Sequence, residues 1–157
     1  MRDKDMVHEH YMREALKAAK EAAERSEIPV GAVVVKDGQI IAAAGNRRET
    51  WRDPTAHAEM IALREAARAL STWRLSGCTL YVTLEPCPMC VGAIALARPD
   101  AVIFGADDPK SGCCGSVYRL TEDPALHLGA VPAFGGVLAE ECAALLIEFF
   151  QKKEKRL

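Results

Sequence analysis

Two short stretches of the sequence carry side chains suited to metal chemistry. Residues 54–59 place His57 and Glu59 two positions apart, and residues 85–90 place Cys87 and Cys90 three positions apart. An imidazole and two thiolates suit a zinc ion whose fourth position stays open for a water molecule. Glu59 need not be a ligand in such a site, which leaves a carboxylate available for proton transfer.

The spacing of these residues indicates how local structure could bring them together. Successive side chains of a helix are rotated by roughly 100°, so His57 and Glu59 can converge only near the axis, off a helix N-terminus. Pro54–Thr55 favours a helix start at this point. Cys87 and Cys90 share one helical face, and a proline between them suits a first turn. We therefore predict a metal between two helix N-termini, whose partial positive charge favours thiolates.

Each half of this pattern alone has a simpler interpretation. An acidic residue at a helix start is usually a solvated first turn, and a lone C-x-x-C can be a structural zinc half-site or a redox pair. A structural site needs a fourth protein ligand. The remaining histidines and cysteines do not stand at such a spacing: His8, His10, Cys78, Cys113, Cys114, His127 and Cys142. The two halves together favour a catalytic site.

Composition limits the class of protein. The 157 residues predict one domain, 1–157, with room for a hydrophobic core. The formal net charge of −2 gives no global basic field, so a nucleic-acid partner would need a local patch. Six cysteines without a signal peptide predict a reduced, cytoplasmic protein. The apolar runs are too short to cross a bilayer, so no membrane association is expected.

Hydrophobic periodicity predicts an α/β fold. The expected elements, in chain order, are a helix over 5–25, strands over 28–35 and 40–44 joined by an Asp-Gly turn, a helix over 57–70, a strand over 78–84, a helix over 87–97, a strand over 101–105, a weak edge strand over 130–138, and a helix over 139–151 before a basic tail over 152–156. Alternating strands and helices imply parallel crossovers, with the ligands at strand ends.

Two loops flank the proposed metal ligands. The loop 45–53 contains three arginines and a tryptophan, and it is either an active-site lip that contacts phosphates or a solvated loop. The loop 106–116 is either a flexible cover over a substrate or a plain surface loop. Asn46, at the start of the first loop, could bond a base edge, although a turn-forming asparagine is the simpler interpretation.

With these residues assigned, the chain resembles the bacterial tRNA-specific adenosine deaminases of the cytidine deaminase-like superfamily. The His-x-Glu and Pro-Cys-x-x-Cys pair is shared by the superfamily. The more specific resemblance lies in six stretches: 29–33, 46–47, 53–59, 79–87, 104–106 and 140–146. It implies a three-layer α/β/α fold with a five-stranded mixed sheet, a homodimer, one zinc ion per subunit, and hydrolysis of adenosine to inosine at the wobble position of a tRNA anticodon.

The resemblance also implies roles for individual residues. It assigns His57, Cys87 and Cys90 as zinc ligands and Glu59 as the proton shuttle. Four further positions match contacts to the anticodon stem-loop: Asn46 at the flipped base, Asp108 near the target ribose, Lys110 beside it, and Phe149 near the anticodon loop.

Two other functions remain open at this stage. A zinc deaminase of a free base or nucleoside, such as guanine or cytosine, would share the metal site and differ only in its pocket. A non-catalytic, zinc-stabilised RNA-binding domain would need a fourth protein ligand on the metal.

Overall fold

The computed structural model describes residues 2–127 and 129–155, so Arg156 of the expected basic tail lies outside the described residues. The helices are α1 (Arg2–Glu24), α2 (Ala58–Leu70), α3 (Pro88–Ala97) and α4 (Ala139–Lys155). The strands are β1 (Gly31–Lys36), β2 (Gln39–Gly45), β3 (Cys78–Leu84), β4 (Ala101–Ala106) and β5 (Ala133–Phe134). Among the described residues, none of the helices is both long and apolar enough to cross a membrane.

The five strands form one mixed sheet in the order β2-β1-β3-β4-β5. Strand β1 is antiparallel to both of its neighbours, whereas β3, β4 and β5 are parallel to one another. The β1–β2 hairpin closes through Asp37 and Gly38, whose φ angles of 51° and 74° suit the predicted Asp-Gly turn. As a result, β2, β3 and β4 run in the same direction, and their carboxyl ends lie at the same end of the sheet.

Helices cover both faces of the sheet. On one face, α1 and α4 pack against alternate strand residues, including Val33, Tyr81 and Ile103. On the other face, α2 and α3 pack against the intervening residues, such as Val34 and Leu80. This alternation follows from the period of two along a strand. The three-layer α/β/α arrangement with a five-stranded mixed sheet is therefore confirmed.

Two strands are shorter than the sequence indicated. Strand β1 begins at Gly31, because Pro29 has no N–H and the Val30 N–H bonds the Ile28 carbonyl instead of a neighbouring strand. At Gly31 helix α1 approaches so closely that an added Cβ would lie 2.0 Å from the Ala15 carbonyl oxygen. Strand β5 keeps only Ala133–Phe134 of the predicted 130–138, at the sheet edge.

Candidate active site and metal centre

His57 and Cys87 occupy the N-cap positions of α2 and α3, and Cys90 lies in the first turn of α3. Both caps have extended backbone angles, and neither side chain caps its own helix. Serine or aspartate at such a position would normally bond the free N–H groups of the first turn. Here the imidazole and the thiol point toward each other instead. The side chains of the three proposed ligands therefore lie at two helix N-termini, where the sequence predicted the metal site.

Helix α2 begins at Ala58, one residue after the predicted start at 57. Thr55 does not cap it, because the backbone N–H and the hydroxyl of Thr55 both donate to Asp53 Oδ1, at 2.8 and 2.7 Å. This turn delays the helix until His57. The delay places the His57 side chain off the end of the helix, and it leaves Glu59 within the first turn.

The three proposed ligands fit a zinc ion in spacing as well as in type. The Nδ1 atom of His57 lies 3.7 Å from Cys87 Sγ and 3.5 Å from Cys90 Sγ. Tetrahedral zinc with ordinary Zn–N and Zn–S bonds requires about 3.6 Å between such atoms. The ligand atoms of all three residues lie within 4.8 Å of one another. Within residues 2–127 and 129–155, no fourth histidine, cysteine or acidic ligand joins this group.

The surroundings of the three proposed ligands change their pKa values in ways that suit metal binding. Hydrogen bonds from Cys90 and His57 lower the pKa of Cys87 to about 4. The pKa of His57 is raised by its contact with Cys87 and, against the effect of burial, by the charge of Glu59. The pKa of Cys90 is raised, because it shares a proton with the Cys87 thiolate in a buried site. A metal cation held by these residues would take the place of that proton and stabilise both thiolates.

A cavity of about 140 Å³ opens beside the three ligands. It lies at the sheet edge where β2, β3 and β4 end, as open α/β sheets favour. Polar side chains on its walls come from three loops and from the start of α2: Asn46, Arg48, His57, Glu59, Glu85 and Asp108. Glu59 is only 4% exposed, and this burial raises the pKa of its carboxyl group.

The structure brings some of the expected substrate contacts to this cavity and leaves others outside it. Asn46 lines the cavity, and its Oδ1 also accepts the Arg48 N–H at 3.0 Å, so it is a turn residue as well. Asp108 also lines the cavity. Lys110 is exposed and is not among the lining residues. Phe149 lines a separate groove of about 1000 Å³ between α1 and α4.

Glu85 is a site residue that sequence reasoning missed. Its carboxylate is 2% exposed and accepts backbone N–H bonds from Asp108, Cys114 and Ser116, each at 3.0 Å, and a short bond from the Ser116 hydroxyl. Burial opposes the ionisation of Glu85, but these donors outweigh it and lower its pKa. The loop 106–116 is therefore fastened to the end of β3, rather than being a freely flexible cover.

Glu27 performs the same task for the other loop. It is fully buried and accepts N–H bonds from Glu49 at 3.1 Å and Thr50 at 2.7 Å, together with the Thr50 hydroxyl. Burial alone would raise the pKa of Glu27. The hydrogen bonds from Thr50 and Glu49 and the charge of Arg25 outweigh burial, so the pKa is lowered. The ionised carboxylate of Glu27 thus anchors the loop that contains Asn46 and Arg48.

Several known proteins are similar to this chain in sequence. The family model for the cytidine and deoxycytidylate deaminase zinc-binding region matches residues 5–106, a range that includes all three proposed ligands and Glu59. The tRNA-specific adenosine deaminase of Bacillus subtilis (strain 168) is 52% identical over 148 residues, which cover 94% of this chain and 91% of that protein. This chain belongs to the tRNA-specific adenosine deaminase family. Its three-ligand site is accordingly that of a zinc-binding deaminase.

The solved structures that resemble this chain include deaminases of two substrate classes. A structure from a study of A-to-I editing by tRNA:A34 deaminases at the wobble position is 46% identical, with a TM-score of 0.83 over 87% of this chain and 99% of that one. A guanine deaminase from Bacillus subtilis is 48% identical, with a TM-score of 0.61 over 64% of each chain. The similarity to the tRNA deaminase extends over more of the chain.

Proposed function

We propose that this protein hydrolyses adenosine to inosine at the wobble position of a tRNA anticodon. The observation that carries the chemistry is the cluster of His57, Cys87 and Cys90, open on one side to a cavity that also contains the buried Glu59. The substrate is inferred from the relatives, whose similarity covers nearly the whole chain.

The chain's own residues account for the steps of the reaction. His57, Cys87 and Cys90 would hold a zinc ion, which would lower the pKa of a water molecule in this site to about 7. Glu59 accepts the proton of the attacking water and passes it to N1 of adenine, which makes C6 electrophilic. The water oxygen adds to C6, and Glu59 then takes the proton of the new C6 hydroxyl and delivers it to the amino group, which leaves as ammonia. A carboxylate that does not ligate the metal is free to perform both transfers.

The small cavity selects an unpaired base. Its volume of about 140 Å³ suits one planar base rather than a stacked or paired nucleotide. The target must therefore leave its stack, which costs little in an anticodon loop that is already single-stranded. Asn46 would contact the base and Asp108 the ribose, which their positions among the residues that line the cavity support.

A surface for the rest of the RNA lies along α4. The groove lined by Phe149 also contains Lys20, Lys152 and Lys153, which offer charge to phosphates, and an aromatic ring, which offers stacking to a base. Glu24, Glu49 and Glu148 also line this groove, so its field is mixed and any attraction is local. We place Phe149 here and Lys110 at the rim of the loop beside Asp108, as contacts outside the catalytic cavity.

We further propose that the protein is a homodimer. Helix α3 has no charged side chain between Pro88 and Ala97, and Leu96 on its outer face is 62% exposed. An apolar helix surface next to the active site is typical of a subunit interface. Sedimentation velocity of the wild type and of Leu96→Glu tests this directly. We expect the wild type to sediment as a dimer and the variant as a monomer.

We also propose that residues 1–157 form one domain that works in the cytoplasm. One sheet includes both the first and the last strand, which supports a single folding unit. All six cysteines are free thiols, which supports a reducing compartment.

The test of the proposed function is incubation with total bacterial tRNA, followed by sequencing for adenosine-to-inosine changes. We expect conversion confined to the first anticodon position. The similarity to a guanine deaminase favours free guanine as the second candidate substrate. Ammonia release from guanine at a greater rate than inosine formation in tRNA would reverse the ranking.

A further inference from the structure

We infer that Glu85 is a positioning residue for the deamination: it holds the backbone of Asp108 and thereby sets how the active site contacts the sugar of the target nucleotide. This inference rests on the proposed function, because it uses Asp108 as the ribose contact. It adds a residue that is neither a proposed metal ligand nor a proposed contact to the substrate.

The carboxylate of Glu85 is fully engaged by the loop 106–116. Its Oε1 accepts the Asp108 N–H and the Ser116 hydroxyl, and its Oε2 accepts the N–H groups of Cys114 and Ser116. An ionised carboxylate has roughly four acceptor positions, so this group is saturated by the protein. Glu85 therefore has no free lone pair for a substrate, although it forms part of the cavity wall.

Asp108 transmits this restraint to the cavity. Its Oδ1 accepts the N–H groups of Lys110 at 3.0 Å and Ser111 at 3.3 Å, and its Oδ2 accepts the Ser111 hydroxyl at 3.1 Å. The side chain is thus fixed to the turn that follows it. Because Glu85 fixes the N–H of the same residue, backbone and carboxylate move as one unit. Both Asp108 and Ser111 line the cavity.

Gly112 gives independent support for a close approach that the loop must make. A Cβ atom added at this position would lie 2.3 Å from the Glu85 carboxyl carbon and 2.5 Å from both carboxylate oxygens. Any side chain there must displace the loop from Glu85. The absence of a side chain at Gly112 is what allows the loop to close over the carboxylate.

The bonding pattern predicts that glutamine cannot replace Glu85 without releasing Asp108. If the NH2 group of the glutamine took the position of Oε2, this donor would face two other donors, the backbone N–H groups of Cys114 and Ser116. Placed at the Oε1 position it opposes only the Asp108 N–H, because the Ser116 hydroxyl can rotate and accept. The less costly orientation therefore breaks the bond to Asp108 and keeps the other two backbone bonds.

The test measures deamination on matched RNA and DNA anticodon hairpins, for the wild type, Glu85→Gln and Ser116→Ala. Ser116→Ala is the matched control, because it removes one bond to Glu85 but leaves the Asp108 N–H bonded. We expect the ratio of kcat/KM on RNA to that on DNA to fall about tenfold in Glu85→Gln and to stay near the wild-type value in Ser116→Ala. Zinc content should be stoichiometric in all three proteins.

Each failure has a distinct signature. A wild type inactive on both hairpins contradicts the proposed function, and the inference falls with it. An active wild type whose RNA-to-DNA ratio is unchanged in Glu85→Gln shows that Glu85 only stabilises the loop and overturns the inference alone. Should Glu85→Gln not fold, Gly112→Ala provides the same test, since it displaces the loop while the carboxylate remains. Here too a wild-type ratio overturns the inference.

Discussion

Two buried glutamates on the wall of one cavity have opposite properties. Glu59 and Glu85 are 4% and 2% exposed, yet the pKa of Glu59 is raised and that of Glu85 is lowered. Burial disfavours the charged form of both carboxylates. For Glu59, its own backbone N–H, the charge of His57 and a bond from the Cys90 thiol oppose this effect without overcoming it, whereas Glu85 receives three backbone N–H bonds and a bond from a hydroxyl.

The difference shows that the number of donors, not burial, separates a reacting carboxylate from a structural one. Glu85 is held as an anion, and breaking its hydrogen bonds would displace the loop 106–116. Glu59 has few fixed partners, so it can gain and lose a proton within the cavity. A zinc cation at the neighbouring ligands would draw the pKa of Glu59 back down, because a nearby positive charge favours the carboxylate.

The largest expected effect comes from removing a ligand. We expect Cys87→Ala to lose both zinc and turnover, since two protein ligands hold the ion far less tightly than three. Metal content and single-turnover rate should be measured on the same sample. Cys78→Ala is the control, because Cys78 is a buried free thiol outside the ligand cluster. Stoichiometric, tightly held zinc in Cys87→Ala would remove this residue from the site.

The next effect concerns stability. Glu85→Ala leaves three backbone N–H groups without their acceptor at a buried position, so we expect the free energy of unfolding to fall by about 3 kcal/mol or more. Urea unfolding of zinc-loaded protein measures this loss. Glu59→Ala should not show it, because Glu59 supports no comparable set of donors. Equal losses in the two variants would remove the distinction between the two carboxylates.

A smaller effect is expected at the sugar contact. A ribose 2′-hydroxyl can donate to Asp108, whereas on DNA the carboxylate loses that partner and still repels phosphates. A bond to a charged group contributes about 1.5–3 kcal/mol, so the wild type should prefer RNA by about ten- to a hundredfold. Asp108→Asn should narrow this gap, since the amide oxygen can still accept from Lys110 and Ser111. The same paired hairpins measure it, and an unchanged ratio would show that Asp108 does not contact the sugar.

The smallest expected effect is the pH dependence contributed by Glu27. The pKa of Glu27 is lower in the folded protein than in the unfolded chain. Ionised Glu27 therefore stabilises the fold fully at pH values above its pKa in the unfolded chain, and this stabilisation is lost as the pH falls through its pKa in the folded protein. Glu27→Gln should therefore be less stable than the wild type at pH 7, and the difference should shrink below about pH 4. Urea unfolding across this range measures the difference. A constant difference would show that ionised Glu27 is not what holds the loop.

The sequence predicted the parts of the site that depend on local spacing. His57, Cys87 and Cys90 could be placed at helix starts because residues one to three apart have fixed relations in a helix. Glu85 was overlooked because its donors, Cys114 and Ser116, lie 29 and 31 positions away and follow no period. Glu27 likewise bonds a loop 22 positions on.

The order of strands and helices along the chain, the antiparallel hairpin and the parallel crossovers were predictable from local patterns, whereas the order of the strands across the sheet was not predicted and their lengths depend on distant contacts. Alternation of strands and helices predicted the parallel crossovers, but the end of a strand depends on partners elsewhere. Strand β5 stops after Phe134, and a side chain at Gly135 would collide with the Phe104 ring at 2.3 Å. No pattern within residues 130–138 contains that information.

The most direct test of the central claim compares Glu59→Gln with Glu85→Gln, two changes of equal size in one cavity. For each, zinc content, thermal unfolding and the single-turnover rate on an RNA anticodon hairpin should be measured. We predict that Glu59→Gln keeps its zinc and its melting temperature but loses turnover by about a thousandfold or more. Glu85→Gln should melt lower and retain measurable turnover. A Glu59→Gln protein that loses zinc, or that turns over faster than Glu85→Gln, would contradict the account.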